Sequence, residues 1–168
     1  VIQDVIEDTL LLGFCFLGQG LLPEAKNCAD DSITLLGKVK KNTQMYTNFS
    51  RALGELCFGV GMTAKASLYF EDHCRCVENV YGRESDIASN SFNLVGCFLI
   101  NAGLPEKARH YCLKALALRR KNYGDSNVVT ASSQYNVGLI HRMLGNFELA
   151  RKELSRAHAT MARVHGAH

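Results

Sequence analysis

Apolar residues recur at steps of three and four along most of the chain, the period of an amphipathic helix. Ala66, Phe70, Cys74, Val77 and Tyr81 form one such stripe, and Ala150, Leu154, Ala157, Met161 and Val164 form another. Read end to end, the pattern predicts eight helices, at about 1–19, 23–40, 43–60, 63–81, 85–102, 105–123, 127–144 and 147–165. Pro23 and Pro105 stand where a first helical turn tolerates proline. Ser85 and Ser126 precede helical runs as candidate N-caps.

The breaks between helices repeat. Gly20, Gly61, Gly103 and Gly145 are spaced by 41, 42 and 42 residues, and each is followed five residues later by Ala25, Ala66, Ala108 or Ala150. Seven residues before each lies a second glycine: Gly13, Gly54, Gly96 and Gly138. A third set, Gly82, Gly124 and Gly166, follows at the ends of the later units. These sets take up 11 of the 14 glycines, so the glycines mark a repeat and not loose loops. The turn glycines suit left-handed helix ends. A glycine inside a helix costs about 1 kcal/mol against alanine. Four such costs point to a shared cause, with glycine and alanine of paired helices facing each other at close approach.

The expected fold is therefore all-α: a right-handed superhelical solenoid of four antiparallel hairpins, about 1–41, 42–83, 84–125 and 126–168, within one domain spanning 1–168. The glycine and alanine positions resemble those of tetratricopeptide repeats. The 42-residue period and the Tyr81-Gly82, Tyr123-Gly124 and His165-Gly166 steps resemble the longer repeats of kinesin light chains. The first unit departs from this, with Lys40-Lys41-Asn42 in place of the Tyr-Gly step. The chain starts without Met, inside a helical pattern, and is expected to be part of a longer protein.

The resemblance implies a non-catalytic interaction module, a scaffold or adaptor. It would bind a peptide or partner subunit in a concave groove lined by the first helix of each hairpin. By register, Asn48, Arg51, Glu55, Asn90, Asn93, Tyr135, Leu139 and Arg142 line that groove, with Asn136 beside them. Groove asparagines of the family bond the backbone of bound peptides, because an amide both donates and accepts. The cationic carboxylate clamp of chaperone-binding relatives is not expected, because Leu10 and Phe14 hold its first positions.

Composition narrows the partners. Net charge is +3, too mild to imply nucleic acid. It is unevenly placed: residues 1–84 hold 8 basic and 11 acidic groups, residues 85–168 hold 11 and 5. Lys107, Lys114, Arg119, Arg120, Arg151 and Arg156 could form a basic docking face on second helices, or simply a solvated one. The expected partner is a protein or peptide, within a multiprotein or cytoskeletal assembly. The alternatives are an RNA-binding helical repeat and the recruiting segment of a larger enzyme. The longest nearly apolar run, Thr9 to Gly18, is too short for membrane insertion. Seven scattered Cys, all within helical patterns, suggest buried thiols and a reducing, cytoplasmic setting. Cys74 and Cys76 diverge on a helix and cannot grip one metal ion. No catalytic constellation, metal site or cofactor motif is recognisable: Gly18-Gln-Gly20 and Gly59-Val-Gly61 lack the third glycine of a dinucleotide loop.

Overall fold

The computed structural model describes residues 1–166. Ala167 and His168, the end of the last expected unit, lie outside them. The helices are α1 (Ile2–Gly18), α2 (Leu22–Leu36), α3 (Gln44–Gly59), α4 (Thr63–Tyr81), α5 (Asp86–Asn101), α6 (Pro105–Tyr123), α7 (Val128–Met143) and α8 (Phe147–His165). No strand occurs among the described residues. The chain divides into two compact units, Val1–Gly82 and Arg83–His168. Within each, consecutive helices pair as hairpins, and the second hairpin's first helix packs on both helices of the first hairpin.

All four hairpin turns are built alike. Gly20, Gly61, Gly103 and Gly145 have φ between 71° and 79°. In each, the residue after the glycine donates its N–H five residues back: Leu21 to Phe16, Met62 to Cys57, Leu104 to Leu99 and Asn146 to His141. That bond pattern closes a helix C-terminus and needs a left-handed residue, which glycine adopts without strain. Two of the linkers between hairpins use a different conformation. Gly82 and Gly124 combine φ of 91° and 79° with ψ of 148° and 170°, a region essentially closed to side chains. Gly166 departs from this set, with φ −87° in the ordinary helical region.

The helical glycines do mark close approach, but not against the expected alanines. A Cβ on Gly54 would sit 2.7 Å from the Phe70 ring, and one on Gly138 2.7 Å from Leu154. The nearest atoms to Gly13 are those of Leu56 and Cys28, and those to Gly96 belong to Cys112. Ala25, Ala66, Ala108 and Ala150 are buried, one helical turn away from these contacts. The stripe continues into the core through Phe70, Cys74 and Val77 in α4, and through Cys112, Ala115 and Leu116 in α6.

Two boundaries differ from expectation. α2 ends at Leu36, four residues early. Gly37, Lys38 and Val39 turn tightly, with N–H groups bonded to Ile33, Leu35 and Leu36 carbonyls, and this brings Val39 into the core at 7% exposure. Asn42 then takes φ 59°, the left-handed conformation that asparagine tolerates best after glycine. The cap of α7 is Asn127, not Ser126: its Oδ1 accepts from Val129 N at 2.8 Å. Ser85 caps α5 as expected, accepting from Ala88 N, and Thr43 caps α3 in the same way.

Candidate functional site

The candidate residues of the first unit lie on α3 and do not form a cluster. Asn48 is exposed. Arg51 and Glu55 pair with each other at 2.6 Å, one helical turn apart. Three of those in the second unit, Asn90, Asn93 and Asn136, are joined by one network. Asn93 Oδ1 accepts from Ser133 Oγ at 2.9 Å and from Asn136 Nδ2 at 3.1 Å. Asn136 Nδ2 also reaches Cys97 Sγ at 3.2 Å. Asn136 is 8% exposed, so it supports the face from beneath and does not line it. Asn90, Tyr135 and Arg142 are exposed, and Leu139 is half-buried.

Arg119 anchors this network from α6. It is not on a basic docking face. It is 6% exposed and points inward. Nη1 donates to Val129 O at 3.1 Å and to Ser133 Oγ at 2.8 Å, and Nη2 donates to Asn90 Oδ1 at 2.9 Å. Its own carbonyl accepts from Thr130 Oγ1. All these partners are neutral, and the buried Nε has no hydrogen-bond partner among the described residues. Burial draws the guanidinium below its ordinary pKa, against the opposing influence of Cys97, Tyr123 and Cys112. Sequence reasoning counted Arg119 with the surface cations. The register held the missing signal: sixteen residues after each turn glycine stand Leu36, Val77, Arg119 and Met161.

The other candidate basic residues are more ordinary. Arg120 pairs with Asp125 at 2.7 Å and Arg151 with Glu148 at 2.9 Å. Lys114 lies over the Phe92 ring at 4.9 Å. Lys107 and Arg156 are exposed. Such exposed pairs contribute about 0–1 kcal/mol each.

A second feature follows from the short α2. Where its last turn is missing, the first unit has a hollow of about 680 Å³ lined by Ile33, Leu36, Val39, Tyr46, Leu68 and Tyr69. At its edge Asp72 accepts from Tyr46 Oη, Lys41 Nζ and Arg75 Nη1. Burial works to raise the Asp72 pKa, but the bonds from Lys41 and Tyr46 and the Lys41 and Arg75 charges outweigh it, and the net shift is downward. Burial, then the bond to Asp72, raise the Tyr46 phenol well above its ordinary value. Gly37 and the Lys40-Lys41-Asn42 step were the sequence's signs of this irregularity.

The thiols are free, with five buried, Cys97 half-buried and Cys15 exposed. Burial raises Cys57 to about 11 and Cys112 to about 12, which keeps both protonated and unreactive at neutral pH. No group of three or more His, Cys, Asp or Glu is placed to hold a metal ion among the described residues. Among them no helix is long and apolar enough to cross a membrane.

With this geometry in view, the comparisons with known proteins agree with one another. The tetratricopeptide repeat family profile matches residues 84–163, which contain α5 to α8 almost entirely. That segment, residues 84–163, carries the match to tetratricopeptide repeats. A crystal structure of a putative kinesin light chain from Podosopora anserina, with nearly identical TPR-like repeats, superposes with a TM-score of 0.82 at 14% identity. It covers 95% of this chain and 76% of that one, and a point variant of the same protein gives the same values. BtubC (BKLC) from P. vanneervenii superposes with a TM-score of 0.57 at 16% identity, covering 99% of this chain and 84% of that one. A comparison with curated protein sequences returned no match. At these identities the structural likeness establishes the fold alone: an all-α helical-repeat solenoid. Tetratricopeptide repeats are generally protein-interaction modules, and this fold is typically non-catalytic.

Proposed function

We propose that this tetratricopeptide-repeat chain is a non-catalytic adaptor module that docks an extended segment of a protein partner on the α5–α7 face of its second unit. The observation that carries this reading is the network under that face. Asn90, Asn93 and Asn136 belong to one hydrogen-bonded set, beside exposed Tyr135 and Arg142 and half-buried Leu139. Held amides suit the peptide backbone, whose polar groups must be matched when water is displaced. A rigid aromatic and an arginine beside them are the residue types that most often anchor interfaces. The likeness in fold to a putative kinesin light chain makes a component of a cytoskeletal assembly the first class of partner to try.

Photo-crosslinking from single positions tests this. A benzophenone side chain is placed at Tyr135 on α7 or at Lys107 on α6, in the presence of a peptide selected on the whole chain from a displayed random library. Capture from Tyr135, with affinity lowered about tenfold or more by Tyr135→Ala with Asn90→Ala, is the expected result. Capture from Lys107 alone would overturn the reading.

A further inference from the structure

The network in the second unit has a direction, and Arg119 sets it. A guanidinium carries five N–H donors and no acceptor. The Asn90 amide that meets Arg119 Nη2 must therefore present Oδ1 inward, which turns its NH₂ group away from the arginine. Ser133 Oγ accepts from Arg119 Nη1, and its single proton goes to Asn93 Oδ1. Asn136 Nδ2 supplies a second bond to that same Oδ1. Two bonds use both lone pairs of an amide oxygen. What remains of Asn93 is its NH₂ group, which makes a long contact of 3.9 Å to the Cys97 sulfur. Asn90 is exposed and Asn93 half-buried, so the amide edges left for a ligand are donors.

The fold does not require this arginine. The same register position holds Leu36, Val77 and Met161 in the other units. A buried cation bonded to neutral groups costs desolvation that a methionine would not. Its partners are also particular to this place. The register positions of Asn90, Asn93 and Ser133 are occupied by Glu7, Leu10 and Phe49 in the first unit.

We propose that Arg119 is a positioning residue that commits the Asn90 and Asn93 amides to donating, and so makes this face select a segment that offers acceptor oxygens, from main-chain carbonyls or carboxylates. This deepens the binding reading above and rests on it. An asparagine free to turn over would serve a donor or an acceptor equally. One backed by Arg119 discriminates against ligand N–H groups, because a donor facing a donor leaves both without a partner.

The test uses the complete chain and a peptide selected on it from a displayed random library. Its affinity is measured by calorimetry against the wild type, Arg119→Met, Asn90→Asp and Asn93→Ala, and each protein is also melted. Asn90→Asp is the decisive variant. It gives the guanidinium a counter-ion, so the melting temperature holds or rises, but it turns the outer edge from donor to acceptor. The expected result is about a tenfold or greater loss of affinity in Asn90→Asp and in Arg119→Met, without a fall in melting temperature in either. A purely structural Arg119 would not give binding and stability opposite signs. Remaking the peptide with Asn and Gln for every Asp and Glu separates the two sources. Lost affinity assigns the acceptor to carboxylates and kept affinity assigns it to main-chain carbonyls, and each supports the proposal. If Asn90→Asp and Arg119→Met bind within about twofold of wild type while Asn93→Ala does not, the donor-selection inference fails and the binding face stands. If Asn93→Ala also binds normally, the peptide lies elsewhere and both readings fall.

Discussion

The two units use one repeat plan and fill it differently where hairpin meets hairpin. In the second, α6 presents Arg119 to α5 and α7, and the junction is polar. In the first, α2 presents Leu36 at the same register position, 1% exposed, and the matching first-helix positions include Leu10 and Phe49. The turns, helical glycines and buried alanines are alike in both. The lesson is that the glycine lattice fixes where helices run, and leaves the junction core free to be greasy or polar. A solenoid needs only nearest-neighbour packing. One junction can therefore take on a polar role without disturbing the next.

The strongest way to break this comparison is to move the arginine. Leu36→Arg puts a guanidinium where Phe49 replaces Ser133 and Leu10 replaces Asn93. It loses a buried leucine and gains a charge with few acceptors, which costs about 2–4 kcal/mol. Urea unfolding reads this directly. A cost under about 1 kcal/mol would mean that the polar surroundings of Arg119 are incidental to its burial.

That contrast also explains what could be read from the sequence. Helix number, hairpin turns and repeat period were legible because Gly20, Gly61, Gly103 and Gly145 must adopt φ values that only glycine takes cheaply. The short α2 was not, because Lys38, Val39 and Lys40 are compatible with a helix and the apolar spacing gives no reason to stop. The amides on α5 and α7 were found by register. Arg119 was missed because an arginine in a basic second helix looks like surface. Its place among Leu36, Val77 and Met161 shows that it replaces a core residue.

The helical glycines give a smaller effect that sharpens the comparison. Gly54→Ala pushes a Cβ into the Phe70 ring, and Gly96→Ala pushes one onto the Cys112 sulfur. Each gains about 1 kcal/mol of helix propensity and loses more to overpacking, for a net cost of about 1–2 kcal/mol. The second can be relieved. Cys112→Ala removes the offending atom, so the double variant Gly96→Ala with Cys112→Ala should be more stable than the sum of the two singles. Additive costs in urea unfolding would show that the glycine is required for some reason other than the sulfur.

The smallest effect separates the units by pH. His73 of α4 is buried, and its register position in α6 holds Ala115. Burial lowers the His73 pKa below its ordinary value of 6.5, and the Arg51 charge works in the same direction, while the Nδ1 contact with the Thr47 carbonyl opposes both. The unfolded chain then binds a proton below pH 6.5 that the folded chain refuses, so stability is full above 6.5 and falls as the pH drops from there toward the lower folded value. Asp72 is also held below its ordinary value of 3.8, so its contribution is lost only in stronger acid. Urea midpoints at about pH 7.5 and 5.5 therefore isolate the histidine. The wild type should lose stability between them and His73→Ala should lose less, at the cost of a cavity at both pH values. An equal loss in both proteins would place the acid sensitivity elsewhere, and would remove pH as a distinction between a first unit that buries a histidine and a second that buries an arginine.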